Sequence, residues 1–332
     1  MEPLLPRRSI AQKLALKVTI SLFTQLEAAL VKCGMKRKRN ADCLILLRFP
    51  HAMVLCFCWT IVICLVMKEG GNAVDAAIAS CLCIGTINSF SAGIGGGGFM
   101  AVRLPNGTVE IIDFRETAPA GSFSTMFKKD PLLAQLGGLS VAVPGEIRGL
   151  ELAHKRHGKL PWKRLFAPSV KMAREGWAVG PELANRIQRV RTMMETEPDW
   201  KHVFASAEGV ALREGQWIKR EALADTLEKI GQEGADAFYT GSIAQGIVDH
   251  VRKHGGILSM DDMKGYKPQI KAPVFGYYQG RKVYTSPAPT SGPALISILN
   301  ILERYNMGKS KQDINVETQR FVEAMKCTYS SL

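Results

Sequence analysis

The hydrophobic and polar positions change character near residue 70. Before it, Ala52–Met67 (AMVLCFCWTIVICLVM) is an uncharged apolar run of 16 residues, followed by Gly70-Gly71. As a helix it would reach roughly 24 Å, against a bilayer hydrocarbon core of about 30 Å. After it the pattern is that of a packed domain. Asn72 is placed to cap a helix beginning at Ala73, and Asp75 falls in its first turn, where a carboxylate favours the helix dipole. Ala73-Val74, Ala76–Ala79 and Cys81–Ile84 are apolar on every side, which predicts a fully buried helix ending before Ser89–Ser91. Phe99–Leu104 and Val109–Phe114 then read as two strands joined around Asn106-Gly107, a dipeptide that suits a two-residue hairpin turn. With Thr108 it also forms the only N-glycosylation sequon, and the turn is the preferred reading.

From Pro144 the chain turns helical. Ile147, Leu150 and His154 lie at helical spacing and Gly158 stops the pattern, while Pro161 and Pro168 each predict the start of a further short helix. Helical patterns recur near 221–230, 242–254, 293–304 and 315–326, and Val274–Tyr278 with Lys282–Thr285 predicts a second hairpin around Gln279-Gly280. Strands and helices do not alternate as a parallel sheet requires, so the expected class is mixed α and β.

Charge changes this picture only at the front. The 332 residues hold 43 Lys/Arg and 30 Asp/Glu, a net of +13, yet residues 1–67 alone contribute 10 basic and 3 acidic residues. More than half of the excess, +7 of +13, lies in that flank, including the Lys36-Arg37-Lys38-Arg39 run, so the net charge is not read as a nucleic-acid signature of the domain. It matches instead the positive-inside flank of a signal anchor with an internal N-terminus, for which the 16-residue run is short. Such an anchor would place the rest of the chain outside the cell or in an organelle lumen. The expected organisation is therefore a basic segment over 1–51, a candidate anchor over 52–67 and a folded region over 68–332. Seven of eight cysteines fall at or before Cys83, which is not a disulfide framework, and Cys56-x-Cys58 and Cys81-x-Cys83 lack zinc-knuckle spacing.

Gly93-Ile94-Gly95-Gly96-Gly97-Gly98 satisfies G-x-G-x-x-G, with Asp113 twenty residues after Gly93. A dinucleotide fingerprint follows a strand and opens a helix, whereas this run follows a helix and opens a hairpin, so no nucleotide cofactor is expected. The glycines serve close backbone approach. Gly308-Lys309-Ser310 ends like a phosphate-binding loop, but Glu303 stands where its first glycine belongs. His250 and His254 can share a helix face, although Val251-Arg252-Lys253 between them supplies no carboxylate, which argues against zinc. His154 and His157, beside Lys155 and Arg156, predict a solvated helix end. No metal or other cofactor is implied. Arg115 follows the second strand in Asp113-Phe114-Arg115-Glu116-Thr117-Ala118-Pro119. It can clamp a carboxylate in two-pronged fashion, or it can form a structural ion pair with Asp113 or Glu116.

Seven segments in consistent order resemble the large subunit of γ-glutamyltransferases (γ-glutamyltranspeptidases, glutathione hydrolases). They are KEGGNAVDAAIA (68–79), GIGGGGFM (93–100), DFRETAP (113–119), VPGEIRGLELAHKRHGKLPW (143–162), FAPSVKMAREG (166–176), GADAFYTGSIA (234–244) and SPAPTSGP (286–293). The resemblance implies an α+β fold, part of the four-layer α/β/β/α sandwich of N-terminal-nucleophile hydrolases, incomplete without the small subunit. It implies that Arg115 pairs with the α-carboxylate of a γ-glutamyl donor such as glutathione. It also implies a precursor that cleaves itself, so that a new N-terminal threonine of the small subunit attacks the γ-glutamyl amide. The acyl group then passes to water, an amino acid or a dipeptide.

Two departures qualify that expectation. The apolar run occupies the place of a strand and most of a helix ahead of GGNAVDAA. No Thr-Thr pair occurs in the 332 residues, so the nucleophile is expected beyond Leu332. Taken alone the chain is expected to be inactive, either a fragment or a chain that serves only to pair with a small subunit.

Overall fold

The computed structural model describes residues 61–305, 307 and 314–330. The basic segment, residues 52–60 of the candidate anchor and the Gly308-Lys309-Ser310 motif lie outside them. The chain divides into two units, one spanning Arg48–Lys271 and one that includes Ala272–Leu332.

In the first unit, residues 61–68 are helical. The helices that follow are α1 (Ala73–Ile87), α2 (Glu146–His157), α3 (Trp162–Glu175), α4 (Pro181–Arg189), α5 (Arg191–Thr196), α6 (Pro198–Phe204), α7 (Glu221–Glu233), α8 (Asp236–Tyr239), α9 (Ser242–Lys253) and α10 (Met260–Gly265). Strands β1 (Phe99–Arg103), β2 (Val109–Asp113) and β5 (Gln269–Lys271) form an antiparallel sheet in the order β1-β2-β5, and β3 (Trp177–Ala178) pairs with β4 (Trp217–Ile218). One hydrophobic core joins α1, α2, α3, α7 and α9 to the sheet through Ile78, Leu82, Ile112, Phe114, Ile147, Leu150, Phe166 and Val248. Val62 and Val66 belong to it, so the described end of the apolar run contributes to this core. A second cluster gathers Trp177, Leu183, Ile187, Phe204 and Ile218. Among the described residues no helix is long and apolar enough to cross a membrane.

The predicted helix cap is present. Asn72 Oδ1 accepts from the N–H groups of Val74 and Asp75, and Asp75 Oδ2 accepts in return from Asn72 N at 3.0 Å. Asp75 does more than complement a dipole. It is fully buried, and it also accepts from the N–H groups of Lys159 (3.1 Å) and Leu160 (3.2 Å), which locks the start of α1 to the loop after α2.

Three local predictions are corrected. The β1–β2 connection is not a two-residue turn. Leu104 N bonds to Thr108 O, leaving Pro105-Asn106-Gly107 between them, with only Gly107 at positive φ (+87°). Pro105 fixes a negative φ at the first loop position, so the chain adopts the three-residue hairpin with a left-handed glycine. Pro168 does not start a helix but lies inside α3. The buried stripe Leu165, Phe166, Ser169, Ala173 continues across it, and packing outweighs a local cost of about 3 kcal/mol. The end of α2 is solvated only in part: Lys155 and Arg156 are exposed, but His154 and His157 are partly buried. Arg156 and His157 both bond Glu110 on β2, at 2.6 Å each, and His154 Nε2 meets Leu160 O at 2.7 Å. The Arg156 hydrogen bonds, with His157 adding to them, hold the Glu110 carboxyl down to about 2.

In the second unit, β6 (Val274–Tyr278) and β7 (Arg281–Thr285) pair antiparallel with Tyr278 opposite Arg281. The expected hairpin is present, and Gln279 (φ +50°) and Gly280 (φ +73°) form its two-residue turn. Helix α11 (Gly292–Leu302) lies on β6, where Gly276 leaves room for Ile296, and α12 (Ile314–Tyr329) packs against α11 through Ala324, Ile298 and Leu302.

Candidate functional site

Residues 93–98, 113–119 and 143–149 meet at one place. Gly98 and Phe114 exchange backbone hydrogen bonds (3.2 and 2.9 Å), which extends the β1–β2 ladder by one pair. Gly96 O accepts from both Gly145 N (2.8 Å) and Glu146 N (3.0 Å), which fixes the first turn of α2 against the glycine run. Thr117 and Val143 form an antiparallel bridge. Phe114 is the centre of this contact. A Cβ on Gly97 or Gly145 would run into its carbonyl, and one on Gly149 into its ring. Gly97 and Gly145 are thus required for close approach of the Phe114 backbone.

Arg115 emerges from this frame with its backbone held at both ends. Its N–H donates to Asp113 Oδ1 at 3.0 Å, and its carbonyl accepts from Tyr266 Oη at 2.8 Å. The structure bears on the ion-pair reading of its side chain. Asp113 is engaged by Lys271 Nζ at 2.5 Å, with the carboxylate largely shielded from solvent. Neither Asp113 nor Glu116 forms an ion pair with the Arg115 guanidinium among the described residues, and that side chain is exposed. A cation that its neighbours leave uncompensated can take an external carboxylate without first breaking an internal pair.

Sequence reasoning did not single out Glu146. It is 3% exposed, and its Oε1 accepts no hydrogen bond among the described residues. Burial pushes its carboxyl up to about 7, Glu116 nearby adds to the rise, and a hydrogen bond from the Gly93 N–H only partly offsets it. The available signal was an acid on the buried face of a helix that also carries Gly149, Leu150 and Ala153. Glu146 lines a cavity of about 440 Å³ together with Gly93–Gly96, Leu82, Leu223 and Arg220. Burial pulls the Arg220 guanidinium below its ordinary range. An acid and a guanidinium thus give the cavity two opposite poles.

Glu146 makes stability depend on pH. Between an ordinary glutamate value near 4.5 and about 7, the folded state holds a proton that the unfolded chain has released. Stability therefore falls as pH rises through that window, by roughly 3 kcal/mol in total. Urea midpoints at pH 4.5 and pH 8 should show this loss in the wild type and not in Glu146→Gln. Equal pH dependence in both proteins would remove Glu146 as its source.

The other motifs close around the same core. Arg148 pairs with Asp236 at 2.6 Å, Tyr239 Oη donates to Pro144 O at 2.8 Å, and Arg164 pairs with Glu69 at 2.5 Å. The segments spaced along residues 68–244 are therefore one packed assembly. A family profile described as Gamma-glutamyltranspeptidase matches residues 60–331.

The chain belongs to the gamma-glutamyltranspeptidase family.

It is 48% identical over 267 residues to glutathione hydrolase proenzyme 1 of Schizosaccharomyces pombe, covering 79% of this chain and 42% of that protein. It is 43% identical over 271 residues to scoloptoxin SSD14 of Scolopendra dehaani, covering 80% of this chain and 47% of that protein. Among solved structures, the gamma-glutamyltranspeptidase of Helicobacter pylori matches with a TM-score of 0.78 at 31% identity, over 88% of this chain and 84% of that one. The fold class is thus that of these N-terminal-nucleophile hydrolases, mixed α and β. The chain spans less than half the length of the two curated relatives named.

Proposed function

We propose that this chain supplies the donor-binding part of an enzyme that hydrolyses glutathione and other γ-glutamyl compounds and transfers their γ-glutamyl group. The observation that carries the reading is the Arg115 guanidinium, which forms no ion pair among the described residues while Lys271 pairs with Asp113. In this reading Arg115 binds the donor's α-carboxylate. The γ-amide is then attacked by a threonine at the N-terminus of a small subunit cut from the same precursor, with its own α-amine as base. The acyl group leaves to water, an amino acid or a dipeptide.

No Thr-Thr pair lies within the 332 residues, so as a polypeptide by themselves they are expected to show no turnover. That same feature supports a second reading, in which the chain only pairs with a small subunit. The test uses two proteins and a γ-glutamyl anilide. The first is the purified 332-residue chain, expected to be silent. The second is a chimera in which residues 68–330 replace the matching segment of the Schizosaccharomyces pombe relative, expected to process itself and cleave the anilide. Turnover by the 332 residues alone would overturn the assignment of the nucleophile. A processed, folded chimera without turnover would overturn the donor-site reading and favour the pairing role.

A further inference from the structure

The two histidines set aside at the sequence level acquire a carboxylate from elsewhere in the fold. His250 lies in the last turn of α9, and His254 caps that helix one turn later. Their ring centroids lie 4.4 Å apart, with the planes tilted by 38°. Asp199, in the first turn of α6, brings its Oδ2 to 3.5 Å from His250 Nε2. One ligand atom from each of the three residues lies within 4.8 Å of the other two. We infer that Asp199, His250 and His254 form a binding site for a divalent transition metal ion of the zinc, nickel or copper type.

The chemistry of the donor set selects the ion class. Two imidazoles and one carboxylate suit zinc, nickel or copper, whereas magnesium and calcium want six or more oxygens. One protonation state is also set in advance. His254 Nδ1 lies 2.9 Å from the His250 carbonyl oxygen, so Nδ1 carries the proton and donates. That leaves the lone pair on His254 Nε2, the arrangement in which a second hydrogen bond orients a ligating ring. Nitrogen and oxygen ligands at about 2.0–2.2 Å around a tetrahedral ion lie roughly 3.4 Å from one another. The trio must contract by rotation of its side chains. The His250 and Asp199 side chains are 55% and 67% exposed, so they are free to rotate, and the remaining coordination positions face water.

Of the two basic residues between the histidines, Arg252 is engaged elsewhere. Its Nε donates to Leu258 O at 2.9 Å. The site also joins two cores. Helix α6 contributes Phe204 to the second hydrophobic cluster, and α9 contributes Ala244, Val248 and Val251 to the first. A metal ion would staple these clusters at the surface and stabilise the native state by mass action.

The experiment uses the full 332-residue chain freed of metal with a chelator. Cobalt(II) absorption and zinc titration calorimetry are then followed with a thermal unfolding scan. One equivalent of zinc should bind and raise Tm, while magnesium and calcium should do neither. Cobalt should give a nitrogen/oxygen spectrum without a thiolate charge-transfer band, which separates this site from the cysteines. His250→Gln, His254→Ala and Asp199→Asn should each weaken binding by more than about tenfold, since even outer-shell partners are worth 10- to 100-fold. With chelator present, all three variants should melt with the wild type. Zinc binding that the three variants leave unchanged, a cobalt–thiolate spectrum alone, or no binding by the folded wild type would each overturn the site.

Discussion

Replacing Asp75 with alanine is expected to remove about 3–5 kcal/mol of stability. The carboxylate is fully buried and accepts from Asn72 N, Lys159 N and Leu160 N. Two of those donors belong to a loop more than eighty residues further along the chain. Removing the acceptor leaves backbone N–H groups in the interior with nowhere to turn, and each orphaned group costs about 1–3 kcal/mol. Native stability is commonly about 5–15 kcal/mol, so the change takes a large part of it. Asparagine keeps the shape and one acceptor oxygen but turns an NH2 toward a donor, and its loss should be intermediate. Urea unfolding followed by circular dichroism measures both. An alanine variant within about 0.5 kcal/mol of wild type would mean that Asp75 does not hold the α1 start to the 159–160 loop.

The second large effect is on the proposed donor site. In the active chimera, Arg115→Lys is expected to raise the KM for a γ-glutamyl anilide about ten- to a hundredfold with self-cleavage intact. A guanidinium offers a carboxylate two parallel donors, and an ammonium cannot reproduce that fork. A charged hydrogen bond is worth about 1.5–3 kcal/mol, and about 1.4 kcal/mol is a factor of ten in affinity. The Asp113–Lys271 pair predicts a further result. Lys271→Met frees the Asp113 carboxylate, whose Oδ1 already bonds the Arg115 N–H. That carboxylate can then capture the adjacent guanidinium, so KM should rise here too. Adding Asp113→Asn to Lys271→Met should bring it part of the way back. If Lys271→Met leaves KM alone, Lys271 does not keep Arg115 available. If Arg115→Lys leaves it alone, the arginine is not in the donor site.

What the sequence could reveal depended on the distance over which each cause acts. The Asn72 cap, the Gln279-Gly280 turn and the stop at Gly158 were legible because capping and turn chemistry act within a few residues. Where local rules competed, the reading failed. Pro105 overrode the Asn106-Gly107 preference for a two-residue turn, and burial of Leu165, Phe166 and Ala173 carried α3 through Pro168. Arg115 was visible as a candidate, but its competing ion pair could be dismissed only once Lys271 was seen on Asp113. No local pattern announces a partner 158 residues away. Tyr266, Arg220 and Asp199 were illegible for the same reason, each given its role by an element remote in the chain. Glu146 was the exception, since an acid on the apolar stripe of α2 was in plain view.

The β1-β2-β5 sheet also sets a timetable for biosynthesis. The β1–β2 hairpin can form within microseconds of leaving the ribosome, because its strands are neighbours in the chain. Strand β5 pairs with β2 only after the intervening residues 114–268 have been made and collapsed, a closure of high contact order and correspondingly slow. Until then the outer edge of β2 is open to pairing with other chains. Both Tyr266 and Lys271, which hold Arg115 and Asp113, arrive with that last strand or just before it. Arg115 thus acquires these contacts late in the folding of this unit, and a nascent chain halted before residue 266 would carry Arg115 without either of them.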